Sequence, residues 1–329
     1  MKRTLSPFLA LILLLLVVLG LSVFLGRYPT PSLMSLEVLQ NDPMAQRLVL
    51  YLRLPRILIA CLLGMSLAAS GMVLQMLFRN PLVEPGFLGV SQGAAFGAAL
   101  SIILLNASGV WMQILAAFFA FLGLGFTYFL ARYMRYGGWT LRLVLAGIAV
   151  SALYSSANGL LKYTADPLTE LPEITFWMLG GLWGATWEKV LLILPAVSLS
   201  LIVIVLMRWR LNLLSLDDET AFSLGTAPAR ERTLLLIAAV TATASVVSVA
   251  GAVGWVGLIV PHMARRLLGA DAQRALPGSL LIGGLFAVAC DDIGRTAFAA
   301  EIPLGILTSL IGALPFPIIP TRQNPDLAK

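Results

Sequence analysis

Long apolar runs separated by short polar segments form the pattern of this chain from one end to the other. A helix needs ~20 residues to cross the hydrocarbon core of a bilayer, and each run is close to that length. The pattern therefore predicts an all-α polytopic membrane protein, in which residues 1–329 form one transmembrane domain of about ten spans. The predicted spans are Pro7–Gly26, Arg56–Phe78, Gly89–Asn106, Val110–Ala131, Arg142–Tyr163, Val190–Met207, Thr233–Ala252, Val253–Leu268, Pro277–Ala297 and Pro303–Ile319.

The apolar run from Thr233 to Ala264 needs a decision, because it is too long for one crossing and short for two at ~1.5 Å of helix per residue. Arginines flank the run at residues 230–232 and 265–266, and both groups are expected on the same side of the membrane. The chain is therefore predicted to cross and return. The glycines that permit this turn are Gly251, Gly254 and Gly257.

Composition and charge narrow the class of protein. Hydrophobic residues make up 59% of the chain, charged residues 12%, and the mean hydropathy is +0.92, values that exclude a soluble domain. Most of the 22 lysines and arginines lie in segments on one side, which the positive-inside rule assigns to the cytoplasm together with both termini. These loops explain the net charge of +6, and no basic patch interleaved with aromatic residues predicts binding to nucleic acid.

Residues that carry chemistry are scarce. Cys61 and Cys290 both lie in apolar runs, and a single histidine, His262, cannot form a metal cluster, so neither a disulfide nor a metal site is predicted. An intramembrane enzyme would need a catalytic constellation that these residues do not supply. The sequence has no GxxxxGK[ST] motif, so ATP and Mg²⁺ are expected to bind to a partner and no cofactor is expected in this chain.

One polar segment, about residues 211–228, interrupts the apolar pattern with the sequence LNLLSLDDETAFSLG. Asp217, Asp218 and Glu219 stand where acids favour the start of a short helix, and Gly225 stands where that helix would end. The residues alone leave two interpretations. The segment is either a solvated loop or a docking surface for a separate cytoplasmic protein.

A second irregular segment, RNPLVEPG at residues 79–86, follows the second predicted span. Its two prolines and its glycine prevent a continuous helix at about membrane depth. Irregular backbone is tolerated at that depth only where it lines a cavity or is buried in protein. The segment therefore predicts a pathway with a constriction on the cytoplasmic side.

Four stretches together resemble the membrane subunits of bacterial type II ABC importers, the FecCD-like permeases. They are RLPR at Arg53 with the following SGMVLQMLFRNPLVEPGFLGVSQGA, LNLLSLDDETAFSLG from Leu211, GWVGLIVPHMARRL from Gly254, and EIPLGILTSLIGALPF from Glu301. That family takes up vitamin B12, ferric siderophores and haem, and some members handle molybdate or tungstate. The resemblance implies a homodimer of ten-helix subunits with a central translocation pathway.

The resemblance also implies roles for individual residues. Asn80 with Leu82, and Thr140 with Leu141, correspond to cytoplasmic gates. Arg53, Arg56 and Arg295 correspond to outer-face residues that dock the substrate-binding protein. The coupling helices that seat in the ATPase correspond to Leu216, Asp217, Asp218, Glu219, Thr220, Ala221, Phe222, Leu224 and Gly225, and this correspondence favours docking over a solvated loop.

Other interpretations apply to several of these residues. Arg53 and Arg56 also fit snorkelling anchors at a helix end. Arg295 lies three and four residues from Asp292 and Asp291, a spacing that permits an internal ion pair.

Two further residues receive expectations at this stage. His262 is expected to form a structural hydrogen bond, while Glu84 is expected either to cap backbone or to pair with Arg79. Asp292 is extra relative to the family pattern and receives no role.

The sequence thus predicts the permease subunit of an ATP-driven importer in the bacterial inner membrane. The implied partners are a second copy, two ATP-binding cassette subunits and a periplasmic or lipid-anchored binding protein. The substrate signals conflict, since NPLVEPGFLGVSQGA at residues 80–94 resembles the vitamin B12 importer and DPLTELPEITFWMLGGL from Asp166 resembles iron-chelate and oxyanion relatives. A metal chelate is favoured, with a molybdate or tungstate oxyanion as an alternative. An ion-coupled secondary transporter is a more distant one.

Overall fold

The computed structural model describes residues 7–29, 32–105, 109–297 and 300–314. Almost all of its regular structure is helical, as the hydropathy pattern predicts. The helices are α1 Pro7–Phe24, α2 Leu36–Asn41, α3 Pro43–Leu48, α4 Leu54–Leu77, α5 Val90–Leu105, α6 Val110–Tyr133, α7 Trp139–Thr164, α8 Glu170–Leu179, α9 Trp187–Leu206, α10 Arg208–Leu214, α11 Asp218–Ser223, α12 Pro228–Ala250, α13 Val256–Leu268, α14 Ala272–Thr296 and α15 Leu304–Ala313. A short antiparallel pair, β1 Leu25–Gly26 and β2 Ser32–Leu33, follows α1.

Every predicted span contains a helix. Seven helices in the described residues are long and apolar enough to cross a membrane, and one of them runs from Pro43 to Leu77 as α3, a π-helical turn and α4. The remaining predicted spans are the shorter helices α5, α13 and α15, with 16, 13 and 10 residues. The predicted end of the last span, and both termini that were predicted to be cytoplasmic, lie outside the described residues.

Helix α4 lies at the centre of the molecule and packs against α9, α12, α13 and α14. Glycines allow its closest approaches, because a Cβ atom at Gly64 would lie 1.9 Å from the Gly283 carbonyl oxygen of α14. A Cβ at Gly71 would lie equally close to the Gly257 carbonyl oxygen. Small residues at such positions let helix backbones approach closely in lipid, where van der Waals packing supports helix association.

The ambiguous apolar run forms two helices, as predicted. Helix α12 ends at Ala250, the next residues are not helical, and α13 begins at Val256. Gly251 adopts φ +71°, in the left-handed region that glycine enters without a steric penalty. Trp255 adopts φ +70°, which is uncommon for a residue with a side chain.

The segment predicted to be irregular is also confirmed. After α4 the chain forms turns and one 3₁₀ turn, Pro85–Leu88, before α5 begins at Val90. Its backbone oxygens are held by side chains from other helices. The Thr127 hydroxyl donates to the Leu88 oxygen at 3.0 Å, and His262 Nε2 lies 3.0 Å from the Pro81 oxygen. His262 therefore forms the hydrogen bond that was predicted for it.

Candidate functional site

The polar segment between α9 and α12 folds as a compact unit, which we call the platform, residues 208–232. Its short helix α11 begins after Asp217, whose carboxylate accepts a hydrogen bond from the Thr220 N–H at 2.9 Å. Hydrogen bonds from Thr220 lower the pKa of Asp217, so the cap stays ionised at neutral pH. The helix ends before Gly225 at φ +82°. The predicted start and end of this helix are confirmed.

Arginines hold the parts of the platform together. Arg232 lies 2.5 Å from the Asp218 carboxylate and also donates to the Leu214 oxygen at 3.0 Å. Arg210 pairs with Glu231 at 3.2 Å and donates to the Gly225 oxygen at 3.1 Å. These contacts join α10, α11 and α12, so the segment has a defined tertiary structure.

The platform presents an apolar surface outward. Phe222 is 71% exposed, Leu224 53% and Leu216 39%. Ala221, in contrast, is fully buried, so the prediction that its side chain contacts a partner is wrong. Helix α11 rests on α10 and α12, and a helix lying on its neighbours turns one face inward. Ala221 occupies that face.

One contact links the platform to the irregular segment after α4. The sequence analysis did not predict it. The Arg79 guanidinium donates to the Leu216 carbonyl oxygen, immediately before α11. Arg79 itself adopts φ +50°, an uncommon conformation for a residue with a side chain, and it directly precedes the predicted gate residue Asn80. The predicted coupling segment and the predicted gate are therefore joined by one side chain.

Of the four predicted gate residues, Leu82 and Leu141 are exposed, while Asn80 and Thr140 are half-buried. Leu82 is 52% exposed, and its backbone N–H donates to the Asn80 side-chain oxygen at 2.9 Å. Thr140 and Leu141 lie in the first turn of α7, where Leu141 is 47% exposed. Both leucines are thus available to a second molecule.

Glu84 accepts a hydrogen bond from the Trp255 N–H at 3.3 Å. Of the two roles expected for it, the structure shows the backbone cap. Among the described residues, no ion pair joins Glu84 to Arg79. The cap ties the irregular segment to the turn before α13.

The three predicted docking arginines come together around an outer pocket of about 400 Å³, whose wall also includes Trp183 and Glu301. Arg53 is only 8% exposed and donates to the carbonyl oxygens of Val23 at 2.7 Å and Tyr28 at 3.3 Å. It takes part in none of the ion pairs formed by the described residues. The partners that the described residues give to its guanidinium are thus backbone carbonyl oxygens.

Arg56 and Arg295 have internal acidic partners. The Arg56 guanidinium spans both oxygens of Asp291 at 2.9–3.0 Å and reaches Glu301 at 2.8 Å. Arg295 pairs with Asp292 and donates to the Ser22 carbonyl oxygen at 2.6 Å. The internal ion pair permitted by the sequence spacing is therefore formed.

Asp292, which had no predicted role, joins α14 to α1. Its carboxylate accepts from the Ser22 hydroxyl at 2.6 Å as well as from Arg295. All three residues are buried. Ser22 carries no signal in the sequence, because it lies inside an otherwise apolar run far from α14.

Several known membrane permeases are similar to this chain in sequence. Residues 12–322 match the FecCD transport family. The chain is 38% identical to the molybdate import permease MolB of Haemophilus influenzae over 317 residues, covering 94% of this chain and 93% of that protein. It is 37% identical to the hemin permease HmuU of Yersinia pestis, covering 96% of both proteins.

Among solved structures, a metal-chelate type ABC transporter in an inward-facing conformation has a similar fold. The TM-score is 0.88 and the identity is 38%, with 96% of this chain and 98% of that chain covered. These relatives are transport permeases and not enzymes. The chain is therefore a multi-pass membrane permease that belongs to the FecCD transport family.

Proposed function

We propose that the chain is the permease subunit of an ATP-driven, binding-protein-dependent importer in the bacterial inner membrane. Two copies of this ten-helix subunit form a translocation pathway on their two-fold axis. The chain itself binds no ATP, Mg²⁺ or other cofactor. The observation that carries this proposal is the platform, whose exposed Phe222 and Leu224 stand on a base fixed by arginines. FecCD membership supports the ATPase and the binding protein as partners.

The platform suits a mechanical role for a physical reason. A segment that transmits force must be rigid and must offer an anchor for its partner. The ion pairs of Arg210 and Arg232 meet the first requirement, and the exposed apolar side chains of α11 meet the second. Large apolar or aromatic side chains commonly supply most of the energy of a protein interface. In this proposal the two partner ATPases bind ATP and Mg²⁺, and their movement is transmitted to the permease through this surface.

Movement of the platform reaches the gate through Arg79. The gate consists of Asn80 and Leu82 with Thr140 and Leu141 from both copies. At the opposite end, a loaded binding protein docks over the outer pocket and offers an acidic side chain to Arg53. Substrate then enters between the two copies, and the gates alternate during the ATP cycle.

We assign a metal chelate, such as a ferric siderophore, haem or cobalamin, as the substrate class. The hemin permease and the metal-chelate type transporter support this assignment. A molybdate or tungstate oxyanion is the second candidate, because the molybdate permease is 38% identical over nearly the whole chain. The transporter fold of the FecCD relatives disfavours an ion-coupled secondary transporter.

Reconstitution tests the proposal. The permease is placed in liposomes with its cognate ATPase and binding protein, and uptake of ferric chelates, haem, cobalamin and molybdate is measured with and without ATP. We expect uptake of one chelate that requires both ATP and the binding protein. Uptake driven by an ion gradient in the absence of the ATPase would refute the proposal, and ATP-driven uptake of molybdate alone would select the second candidate.

A further inference from the structure

An apolar cavity of about 300 Å³, which we call the lateral cavity, lies between α6, α7 and α12. It is separate from the outer pocket and the platform surface. Its wall includes Phe121 and Tyr128 from α6, Leu143 from α7 and Ile237 from α12. Phe121 is 40% exposed and Ile237 is 50% exposed, so apolar side chains continue from the cavity onto the surface of the helices. The cavity is large enough for a small apolar ligand.

The platform side of this cavity has the chemistry of a membrane interface. The Tyr128 ring lies edge-on to Trp139 at 5.3 Å, and the Arg132 guanidinium lies 5.8 Å from the centre of the same ring. Tyrosine and tryptophan concentrate where the hydrocarbon core meets the lipid headgroups. Arg132 follows Tyr128 by one helical turn, about 5–6 Å along the axis. An arginine therefore stands one turn beyond an apolar cavity, where a lipid in that cavity would carry its headgroup.

The charged residues of α6, α7 and their connection all have one sign. Residues 109–164, which include α6, α7 and their connection, contain no aspartate or glutamate. Arg142 is occupied locally, since it donates to the Gly137 oxygen at 2.8 Å and to the Met134 oxygen at 3.0 Å. Arg132 and Arg135 are exposed, and neither takes part in an ion pair among the described residues. Such a surface attracts anions.

We propose that this region is a binding site for an anionic glycerophospholipid from the leaflet next to the platform. One acyl chain fills the lateral cavity, and the phosphate lies at Arg132 and Arg135. Apolar burial and the attraction of basic residues for an anionic lipid surface then act on the same molecule. A phospholipid has both the chain and the charge in the required order.

The position of the cavity lets a bound lipid affect the platform. Thr233 lines it, and the preceding residue, Arg232, holds Asp218 in the platform. A lipid seated there braces the start of α12 against α6 and α7. Its effect on ATP-driven uptake rests on the proposed function, whereas binding of the lipid does not.

Lipid competition on the purified full-length permease tests the headgroup contact. Retained lipid is counted by native mass spectrometry after equilibration with equal amounts of dioleoylphosphatidylglycerol and dioleoylphosphatidylcholine. We expect the wild type to prefer phosphatidylglycerol, and R132A/R135A to reduce that preference by about fivefold for each arginine removed. R266A/R274A removes two other exposed arginines at the ends of α13 and α14, and this control should leave the preference unchanged.

A second variant tests the cavity without touching the arginines. A Cβ atom at Gly125 meets no atom within 4 Å, and Gly125 lines the lateral cavity, so Gly125→Leu places apolar bulk in the cavity from a position that accepts a Cβ atom. We expect this variant to fold and to retain one fewer tightly bound lipid. Soluble glycerol phosphate, which has the charge but no acyl chain, should not stabilise the wild type against heat.

Three results would overturn the proposal. They are an unchanged lipid preference in R132A/R135A, an unchanged lipid count in Gly125→Leu, and stabilisation by glycerol phosphate equal to that by the lipid. Loss of ATPase binding in R132A/R135A with lipid retention intact would also overturn it, because the basic turn would then be a protein contact.

Discussion

At the scale of single residues, the arginines of the outer pocket differ in their internal partners. Arg56 and Arg295 are matched by Asp291, Glu301 and Asp292, whereas in the described part of the chain Arg53 forms no ion pair and donates to carbonyl oxygens. The sequence predicted that these arginines share a face, because the family pattern groups them. It could not separate their roles, since the partners of Arg295 lie on two helices far apart in the chain.

The buried pair of Asp292 and Arg295 gives the first prediction. Asp292→Asn leaves a buried arginine without its counter-charge, and removal of one partner from a buried ion pair typically costs about 3–5 kcal/mol. We expect a clearly lower midpoint of thermal unfolding in detergent. The double variant D292L/R295M removes both charges and should recover much of the loss. Equal stability of D292N and the wild type would show that the pair does not hold α1 to α14.

Arg53 gives the second prediction. Arg53→Glu should weaken binding of the purified substrate-binding protein, and the wild-type complex should weaken as salt rises, because salt screens opposite charges. Thermal unfolding checks that the variant is folded, and Arg47→Glu, on the neighbouring helix α3, is the matched control. Undiminished affinity in folded Arg53→Glu would remove this arginine from the docking surface.

At the scale of elements, the platform shows what sequence reasoning could and could not reach. Acids before an apolar stretch and a glycine after it predicted α11 with nearly correct limits. The six residues of α11 are too few for a periodic pattern, so the sequence did not indicate which face is internal. Ala221→Trp would therefore disturb the platform from within. A loss of transport in that variant would not prove a contact with the ATPase.

The link from platform to gate gives the third prediction. Arg79→Ala and Arg79→Gly both remove the bond to the Leu216 oxygen, but only glycine relieves the backbone at φ +50°. We expect both variants to hydrolyse ATP in the assembled complex while uptake per ATP falls strongly. Uncoupling in the glycine variant alone would assign the effect to the backbone. Normal uptake per ATP in both variants would contradict the proposed connection between platform and gate through Arg79.

At the scale of the whole molecule, hydropathy and charge were sufficient to predict a helix in each of the ten spans, but not the short helices α2, α3, α8 and α10. Close approaches such as Gly64 to Gly283 depend on pairs distant in the chain, and a single sequence does not identify them. The arrangement leaves Leu82 and Leu141 about half exposed at two separate points of one chain. Such exposure suits a gate that is completed by a second copy.

The gate gives the fourth prediction. Leu82→Ala and Leu141→Ala each remove apolar bulk from the proposed constriction in both copies. We expect substrate to leak from loaded vesicles in the absence of ATP, and the leak should be larger in the double variant. Leu145→Ala, one turn further along α7 and 43% exposed, is the comparison. If vesicles with either single variant or with the double variant do not leak, the constriction is formed by other residues.

The affinity of the ATPase for the permease tests the central claim most directly, namely that the exposed face of α11 seats in the ATPase. The permease is held in lipid nanodiscs, and ATPase binding is compared for the wild type, Phe222→Ala and the control Leu267→Ala, which removes a similarly exposed apolar side chain from α13. Truncation of an interface hot spot costs at least about 2 kcal/mol, so Phe222→Ala should weaken binding roughly 30-fold while Leu267→Ala matches the wild type. Equal affinity of all three proteins would contradict the claim.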